Sequence, residues 1–307
     1  MDLDDLLIFR TVVREGGVTR AASQLCRVPS NVTTRIKQLE SRLGIRLFRR
    51  QGRDLVLTDP GRKLLHHAER LLHMADMAER DMRSDTLAGI LKLGSLESAA
   101  GARLPPIFSK LHERYPDIRL ELKTGTTSVM LDLLGRYEIE AAFVSEPFER
   151  GKFDARPIFD EELVLITARN ASPPTCAADL EAATLVAFPH GCSYRRRLTD
   201  WLSAAGAAPT RILELGSYHA IIACVAAGSG VAIVPAQILD SAAMGSAVER
   251  HRLPDHLGRN RTHLVWRGEP SAPLQALMSL LPMAATEQTE VADVEIINSA
   301  APPAWNE

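Results

Sequence analysis

Cysteines are few in this sequence and lie far apart. No two of them form a C-x-x-C pair, and the four are Cys26, Cys176, Cys192 and Cys224. Structural zinc sites need closely spaced cysteine and histidine ligands, and disulfide frameworks are typical of short secreted chains. In a chain of 307 residues this spacing predicts neither kind of site, and we expect no bound metal and no cofactor.

Long apolar runs are also missing. No stretch of the sequence reaches the roughly 20 apolar residues that a membrane-spanning helix needs. The first five residues, MDLDD, are acidic, whereas a secretory leader begins with basic residues before an apolar core. We therefore expect a cytoplasmic protein that has no membrane partner.

Enzyme motifs are absent as well. The sequence contains no G-x-S-x-G, no H-E-x-x-H and no P-loop. Gly228-Ser229-Gly230 resembles part of a dinucleotide-binding loop, but it follows a predicted helix and precedes a predicted strand, which is the reverse of the required order. We predict that the protein is not an enzyme and has no catalytic residues.

The chain has almost no net charge, yet its charges are unevenly distributed. The formal net charge is −2. Residues 1–60 hold eleven Lys and Arg against seven Asp and Glu, a net charge of +4, which leaves −6 for the remainder. A basic module attached to an acidic body is typical of a DNA reader with a separate sensing part.

Two helices joined by a tight turn are predicted near the N-terminus. The first, TRAASQL at residues 19–25, carries Ala21 and Ala22, which allow close packing against a neighbour. Pro29 suits the first turn of the second helix, because that position needs no backbone donor. The second helix ends at Gly44 and has an apolar stripe formed by Val32, Ile36, Leu39 and Leu43. With a basic N-terminal end on its second helix, this pattern indicates a helix-turn-helix.

The segments on either side extend this motif into a small domain. An amphipathic helix is predicted before it from the spacing of Leu3, Leu6, Leu7, Phe9, Val12 and Val13. After it, a basic turn at residues 49–53 leads into the alternating residues 55–57. We interpret these as a two-stranded wing with Arg53 at its tip.

These segments resemble a known family. AASQL, RIKQLESRLGIRLF and the wing ending LTDPG are similar to the N-terminal domain of LysR-type transcriptional regulators, and the resemblance runs to within about fifteen residues of the end. It implies a winged helix-turn-helix over residues 1–60 that binds double-stranded operator or promoter DNA. It also implies a homodimer or homotetramer, with RNA polymerase as a further candidate partner.

The predicted DNA contacts lie on the second helix and the wing. Amide and guanidinium groups can each bond a base edge at two points, and hydroxyls can bond phosphates. An arginine on the wing suits the negative potential of a minor groove. The candidates are Asn31, Thr33, Thr34, Arg35, Lys37 and Arg53. The alternative is a solvated basic face. Family members often read Ser-Gln-Pro-Ala where this chain has residues 28–31, so we carry over no base preference.

A long linker helix is predicted over residues 61–88. Leu64, Ala68, Leu71, Ala75, Ala78 and Met82 recur in alternating steps of four and three, the spacing of a coiled-coil seam. We interpret this helix as a dimerising element, because one helix-turn-helix alone reads few base pairs. The alternative is a surface helix packed on its own chain.

Residues 89–284 alternate between strand and helix patterns, which predicts parallel sheet. Residues 96–116 predict one helix that stops before Pro116. By resemblance to the family, this region is an effector domain of two α/β lobes similar to type 2 periplasmic binding proteins. Lobe I comprises 89–161 and 267–284, and lobe II comprises 162–266. The acidic, proline-containing tail 285–307 is predicted to be disordered.

Candidate effector contacts follow from the same resemblance, because family members bind ligands between the lobes. The matching positions here lie at or near predicted helix starts, where N–H groups attract anions. They are Ser95, Glu97, Ser98, Thr126, Thr127, Cys192, Ser193 and Tyr194. The alternative is that the hydroxyl residues are simply helix caps.

Two of these residues have a distinctive chemistry. Glu97 is unusual in a site for anions alone, so it either pairs with one of Arg195, Arg196 and Arg197 or meets an ammonium group on the ligand. Cys192 precedes those arginines, which favours a lowered thiol pKa. We do not favour redox sensing, because no resolving cysteine is close in sequence.

The sequence therefore predicts a DNA-binding transcription regulator whose activity depends on a small effector, a carboxylate or an amino acid, held between two lobes. The alternative is a cytoplasmic solute-binding protein or small-molecule enzyme that uses its N-terminal helices as an interaction module. The basic second helix and the wing favour the regulator.

Overall fold

A computed structural model describes residues 1–51, 54–83, 87–171, 174, 176–180, 183–207, 209, 211–241 and 245–282. The chain divides into two compact units, one ending at residue 86 and the other beginning at residue 87. Two predictions lie outside the described residues, namely Arg53 at the tip of the wing and the tail 285–307. No helix within the described ranges is both long and apolar enough to cross a membrane.

The first unit has the predicted winged helix-turn-helix fold. Asp2 accepts the backbone N–H of Asp5 at 2.7 Å and caps the first helix. Pro29 begins the recognition helix, and Gly44 ends it at φ +67° in the left-handed region that glycine tolerates. The elements are α1 (Leu3–Arg14), α2 (Val18–Gln24), α3 (Pro29–Leu43), β1 (Phe48–Gln51), β2 (Asp54–Leu57) and α4 (Asp59–Arg83).

The long helix α4 starts two residues before the predicted position, because Pro60 is tolerated in the first turn of a helix. Its N-terminal half packs on the core of the first unit, where Ala68 and Leu72 are buried. Leu71, next to Leu72, is 40% exposed, and further along the helix Met74 is 61% and Met82 84% exposed. The N-terminal part of the predicted seam is therefore buried in the first unit. Its C-terminal part carries apolar side chains that are exposed to solvent in the described chain.

The second unit begins with a parallel sheet, as predicted. Its elements are β3 (Gly89–Ser95), α5 (Glu97–Ala102), α6 (Pro105–Arg114), β4 (Ile118–Thr124), α7 (Thr127–Gly135), β5 (Ala141–Ser145) and β6 (Asp154–Ala168). The order of the parallel strands is β5-β3-β4. The single helix predicted over residues 96–116 is wrong. It is divided into α5 and α6, because Pro105 and Pro106 have no N–H to continue the hydrogen bonding of α5.

The remaining elements build the other lobe and return to the first. They are β7 (Thr184–Ala187), α8 (Ser193–Ala204), β8 (Arg211–Glu214), α9 (Tyr218–Ala226), β9 (Ala232–Pro235), α10 (Ala236–Ser241), β10 (Val248–Arg252), α11 (Asp255–Gly258), β11 (Arg259–Trp266) and α12 (Ala272–Leu280), with 3-10 turns at Ala177–Leu180 and Gly245–Ala247. Strands β7 and β8 are parallel.

Two strands join the lobes. The first half of β6 pairs with β11, and its second half pairs with β9 and β10, so the chain passes between lobes at Glu161–Glu162. The return differs from the predicted position near Trp266. Strand β11 already pairs with β5 from Thr262 onward, so residues 262–266 belong to the sheet of lobe I. The two-lobed α/β architecture itself is confirmed.

Candidate functional site

The recognition helix α3 presents a polar face next to its buried stripe. Val32 and Leu39 are completely buried in the core of the first unit, which fixes how the helix is rotated. Thr33 is half-buried, and its hydroxyl donates to the carbonyl of Pro29 at 2.9 Å. The predicted DNA contacts that are exposed on this helix are Asn31, Thr34 and Lys37.

Arg35 has surroundings that the sequence did not predict. Its guanidinium lies 3.0 Å from Asp4 Oδ2 and 2.8 Å from Asp5 Oδ1, and Asp2 Oδ1 is 3.2 Å away. The Asp5 side chain is completely buried, and Arg42 contacts its other oxygen. A buried carboxylate needs a counter-charge. Arg35 therefore fastens α3 to the start of α1, and its role as a base reader stays a prediction.

A second arginine of the helix-turn-helix is held by the same acids. Arg27, in the turn before α3, donates to both carboxylate oxygens of Asp4 at 3.0 and 2.7 Å. Bidentate pairs of this kind fix geometry as well as charge. We call Asp2, Asp4 and Asp5 the N-terminal acidic cluster. Sequence reasoning missed its role, although three acids in the first five residues of a basic domain are a visible signal.

The wing is a regular antiparallel hairpin. Its register pairs Phe48 with Leu57 and Gln51 with Asp54. Arg49 and Arg50 on β1 are exposed and have no ion-pair partner among the described residues. They are two exposed cations on the wing in addition to the predicted Arg53.

Polar residues from both lobes meet at one small cavity in the second unit. Its volume is about 20 Å³, which is room for a single water. The predicted effector residues in its wall are Glu97, Thr126, Thr127, Cys192, Ser193 and Tyr194. Residues that the sequence did not single out complete it, namely Leu96, Gly125, Ser145, Phe188 and Tyr218.

Hydroxyl groups from the two lobes bond directly to each other. The Oγ atom of Ser193, at the start of α8, lies 2.9 Å from Thr127 Oγ1 at the start of α7 and 2.9 Å from the carbonyl oxygen of Ser145. The segment before α8 approaches the start of α7 so closely that it needs a glycine at residue 191. Gly191 has φ +93°, and a Cβ there would lie 1.8 Å from Ser128 Oγ. The lobes are therefore closed upon each other at this point.

A buried carboxylate lies behind these hydroxyls. Glu161 Oε2 accepts the hydroxyl of Tyr194 at 2.8 Å and the amide of Asn260 at 2.6 Å. Burial raises the pKa of Glu161, and the hydrogen bonds from Tyr194 and Asn260 only partly oppose that rise. Ser98 joins from lobe I, with its Oγ 3.4 Å from Tyr194 Oη. Sequence reasoning used Glu161 only as the crossing point, because it is the middle of three successive acids, 160–162, and the other two are exposed.

Ser95 is not brought to the cavity. It is completely buried at the end of β3, and its hydroxyl donates to the carbonyl of Leu96 at 2.9 Å. A serine at the end of a strand satisfies its own backbone in this way. Its predicted role in effector binding gains no support from this geometry.

Glu97 is half-buried in the cavity wall. One carboxylate oxygen accepts the backbone N–H of Tyr218 at 3.1 Å. Burial raises the pKa of Glu97, and this single hydrogen bond opposes the rise. A desolvated carboxylate with one neutral donor is poorly compensated.

The three arginines after Ser193 do not neutralise Glu97. Arg195 pairs with Glu214 at 2.6 Å, and Arg196 donates to the carbonyl of Pro147. Arg197 donates to the carbonyls of Glu146, His256 and Arg259. Of the two alternatives for Glu97, pairing with these arginines is therefore wrong.

Cys192 is in the wall but is not activated. Burial raises the pKa of its thiol, and the backbone donors at the start of α8 and the charge of Arg195 do not overcome that effect. The expectation of a lowered pKa is wrong for this reason. No group of three or more His, Cys, Asp or Glu suited to a metal ion occurs among the described residues.

A larger cavity adjoins the small one. It has a volume of about 630 Å³ and shares Thr127, Cys192 and Ser193 with it. Phe148 and His190 also line it, so it lies between α7, the loop after β5 and the start of α8. A volume of this size is typical of sites for small organic ligands.

Two family models match the chain. Residues 3–62 match the model described as a bacterial regulatory helix-turn-helix protein of the lysR family. Residues 84–285 match the LysR substrate binding domain. The first model lies within the first structural unit, and the second spans most of the second unit.

Several regulators are similar over most of their length. The HTH-type transcriptional regulator GltR of Bacillus subtilis is 35% identical over 256 residues, covering 83% of this chain and 86% of that protein. The uncharacterized regulator YusT of the same organism is 35% identical over 268 residues, covering 87% and 90%. The regulator SoxR of an Arthrobacter strain is 33% identical over 270 residues, covering 88% and 92%.

Solved structures of full-length regulators share the fold. OxyR of Pseudomonas aeruginosa superposes with a TM-score of 0.67 at 23% identity, covering 91% of this chain and 94% of that one. CbnR in complex with its target DNA gives a TM-score of 0.62 at 22% identity, covering 92% and 99%. At these identities the likeness concerns the fold alone.

Proposed function

The chain belongs to the LysR family of transcriptional regulators, and from that premise we propose that a small organic effector held between its two lobes controls its action on DNA. The observation that carries the proposal is the meeting of Thr127 from lobe I and Ser193 from lobe II at one cavity wall, 2.9 Å apart. A ligand inserted between hydroxyls from two lobes changes how the lobes close, and this gives it different affinities for two states of the protein.

The larger cavity provides the volume for such a ligand, and the polar wall provides its orientation. Thr126, Thr127 and Ser193 lie at the starts of α7 and α8, where backbone N–H groups favour a carboxylate. Ser98 and Tyr194 support this wall through the buried Glu161. We include Glu97 and Cys192 in the site because both line the small cavity. Ser95 contributes only by shaping the end of β3.

On the DNA side, we assign base contacts to Asn31 and Thr34 and phosphate contacts to Lys37. All three are exposed on α3. Thr33, which bonds its own helix, and Arg35, which is paired with acids, are the less accessible members of the predicted set. Arg53 belongs to the proposal on sequence grounds, as a minor-groove contact at the tip of the wing.

We further propose that the protein is a cytoplasmic homodimer or homotetramer. The exposed apolar face of α4, which carries Leu71 and Met82, is the surface that a second copy would cover. Two linked helix-turn-helix domains read two half-sites and so a longer sequence. Whether the protein activates or represses transcription, RNA polymerase is the partner whose action it would affect.

The test of DNA recognition is a salt titration of binding to the chain's own upstream DNA, with scrambled DNA of equal length as the control. The affinity should fall steeply with salt, because lysine and arginine contacts displace counter-ions from phosphates. Equal affinity for the two fragments at every salt concentration would refute sequence-specific recognition.

A further inference from the structure

Glu97 lies in the wall of the small cavity between the lobes, which we call the interlobe cavity, and the described residues give its carboxylate no counter-charge. No lysine, arginine or histidine of the described residues forms an ion pair with it, and Arg195, Arg196 and Arg197 are directed elsewhere. Among the described residues, its one hydrogen-bond donor is the backbone N–H of Tyr218. A half-buried anion in this state gains from any cation that enters the cavity.

Two aromatic rings accompany this carboxylate. Phe188 and Tyr218 line the same cavity, and their ring centroids are 4.8 Å apart at an interplanar angle of 62°. The faces of aromatic rings attract cations, most strongly where water is excluded. A carboxylate next to a tilted aromatic pair is a surrounding suited to an ammonium group.

Other residues of the same wall have the complementary chemistry. They present the hydroxyls of Thr126, Thr127 and Ser193 together with the starts of two helices, the nine-residue α7 and the twelve-residue α8. Hydroxyls and helix N-termini stabilise a negative group. The cavity wall thus combines the carboxylate of Glu97 with groups that favour an anion.

We propose that the effector is a zwitterion, with an ammonium group at Glu97 and the aromatic pair and a carboxylate at Thr127 and Ser193. This inference rests on the proposed function and specifies the ligand class of the same site. Because the small cavity holds only one water, the remainder of the ligand occupies the adjoining 630 Å³ cavity as the lobes part. A carboxylate without an amino group satisfies one end of the site and leaves Glu97 uncompensated.

The experiment compares amino acids with the acids that lack only the amino group, for example glutamate with glutarate and alanine with propionate. Thermal unfolding of the full-length protein is measured with each compound, because a ligand of the native state raises the Tm. At least one amino acid should raise the Tm, and its partner acid at the same concentration should not. Calorimetry on that amino acid then gives its Kd.

Glu97→Gln is the decisive variant, because its amide oxygen still accepts the Tyr218 N–H while the charge is removed. It should weaken binding of that amino acid at least tenfold and bind the partner acid more tightly than wild type does. Glu113→Gln on the exposed face of α6 removes the same charge and should change neither Kd.

The two proposals fail in different ways. If acids without an amino group bind wild type as tightly as amino acids do, or if Glu97→Gln leaves the amino acid Kd unchanged, the zwitterion inference is overturned and an effector site remains. If no compound of either class alters the Tm or the affinity for DNA, both this inference and the proposed effector control fail.

Discussion

At the scale of single residues, the N-terminal acidic cluster changes how the arginines of the helix-turn-helix are understood. Arg27 and Arg35 are cations of a basic DNA-binding domain, and on that ground both are expected to contact DNA. In this structure, however, both form ion pairs with Asp4. Each pair is partly exposed, so its contribution to stability is small and screened by salt. Its larger consequence is that two guanidinium groups are withheld from phosphates.

We therefore expect Asp4→Asn to strengthen binding to scrambled DNA roughly two- to fivefold. The released Arg27 reaches a phosphate, whereas Arg35 stays paired with Asp5, and each added phosphate contact steepens the slope of log K against log salt by about 0.9. Fluorescence anisotropy across a salt series measures both quantities. Glu15→Gln removes the same charge at the end of α1 and serves as the control. Equal effects of the two variants would attribute the change to net charge alone.

The buried Glu161 leads to a prediction about pH. Burial raises the pKa of this carboxyl in the folded state. A carboxyl whose folded pKa is raised binds more protons when folded, so its contribution to stability is present below its ordinary pKa and is lost as pH rises through the folded value. Glu161→Gln is neutral at every pH, and its amide oxygen can still accept from Tyr194 and Asn260.

The Tm of Glu161→Gln should accordingly exceed that of wild type by a margin that grows as pH rises above the ordinary pKa of a glutamate. Thermal unfolding at several pH values measures this margin. Glu162→Gln, the exposed neighbour on the same strand, is the matched control and should show no such trend. A margin for Glu161→Gln that is constant with pH would mean that Glu161 keeps its ordinary titration despite burial.

At the scale of elements, α4 joins a packed half to an exposed apolar half. Leu71 and Met82 lie within about 20° of each other around the helix axis, so they form one face. Leu71→Glu should place a charge in the dimer contact, reduce the mass seen by light scattering and weaken operator binding. Arg70→Glu, about 100° away around the helix, should leave the mass unchanged. An unchanged mass for Leu71→Glu would move the main dimer contact away from α4.

The sequence predicted those elements whose apolar period was strong. The stripe through Val32 and Leu39 identified α3, which begins at Pro29 and ends at Leu43 before Gly44. Strand β10 was missed because Val248 is its only apolar residue, and a polar edge strand has no apolar alternation. Pro105 and Pro106 could have predicted the division between α5 and α6. It was not predicted because the helical spacing of apolar residues continues across the two prolines.

The candidate site was predictable only in part, for a related reason. Hydroxyl residues at helix starts, such as Thr127 and Ser193, can be located from local sequence. Partners that come from distant strands cannot be located in this way. Asn260 and Glu161 lie 99 residues apart and meet only because β6 and β11 are paired. The ion pairs of Arg35 are hidden for the same reason, since Asp5 is 30 positions away along the chain.

At the scale of the whole molecule, the chain combines a basic DNA-binding unit with an acidic unit of two lobes. The interlobe cavity is closed by a hydrogen bond between Thr127 and Ser193, and we propose that occupancy by a ligand and closure of the lobes are coupled. The central claim is that this coupling extends to DNA. Both ligand binding and DNA binding are therefore needed in one measurement.

That measurement is the Kd for a labelled fragment of the chain's own upstream DNA, with and without the amino acid or organic acid that raises the Tm most. The ratio of the two values should be roughly fivefold or more in wild type, within the usual range of allosteric coupling. It should fall to near one in Thr127→Val and stay at the wild-type value in Glu113→Gln. A ratio in Thr127→Val equal to that of wild type would contradict control through the interlobe cavity.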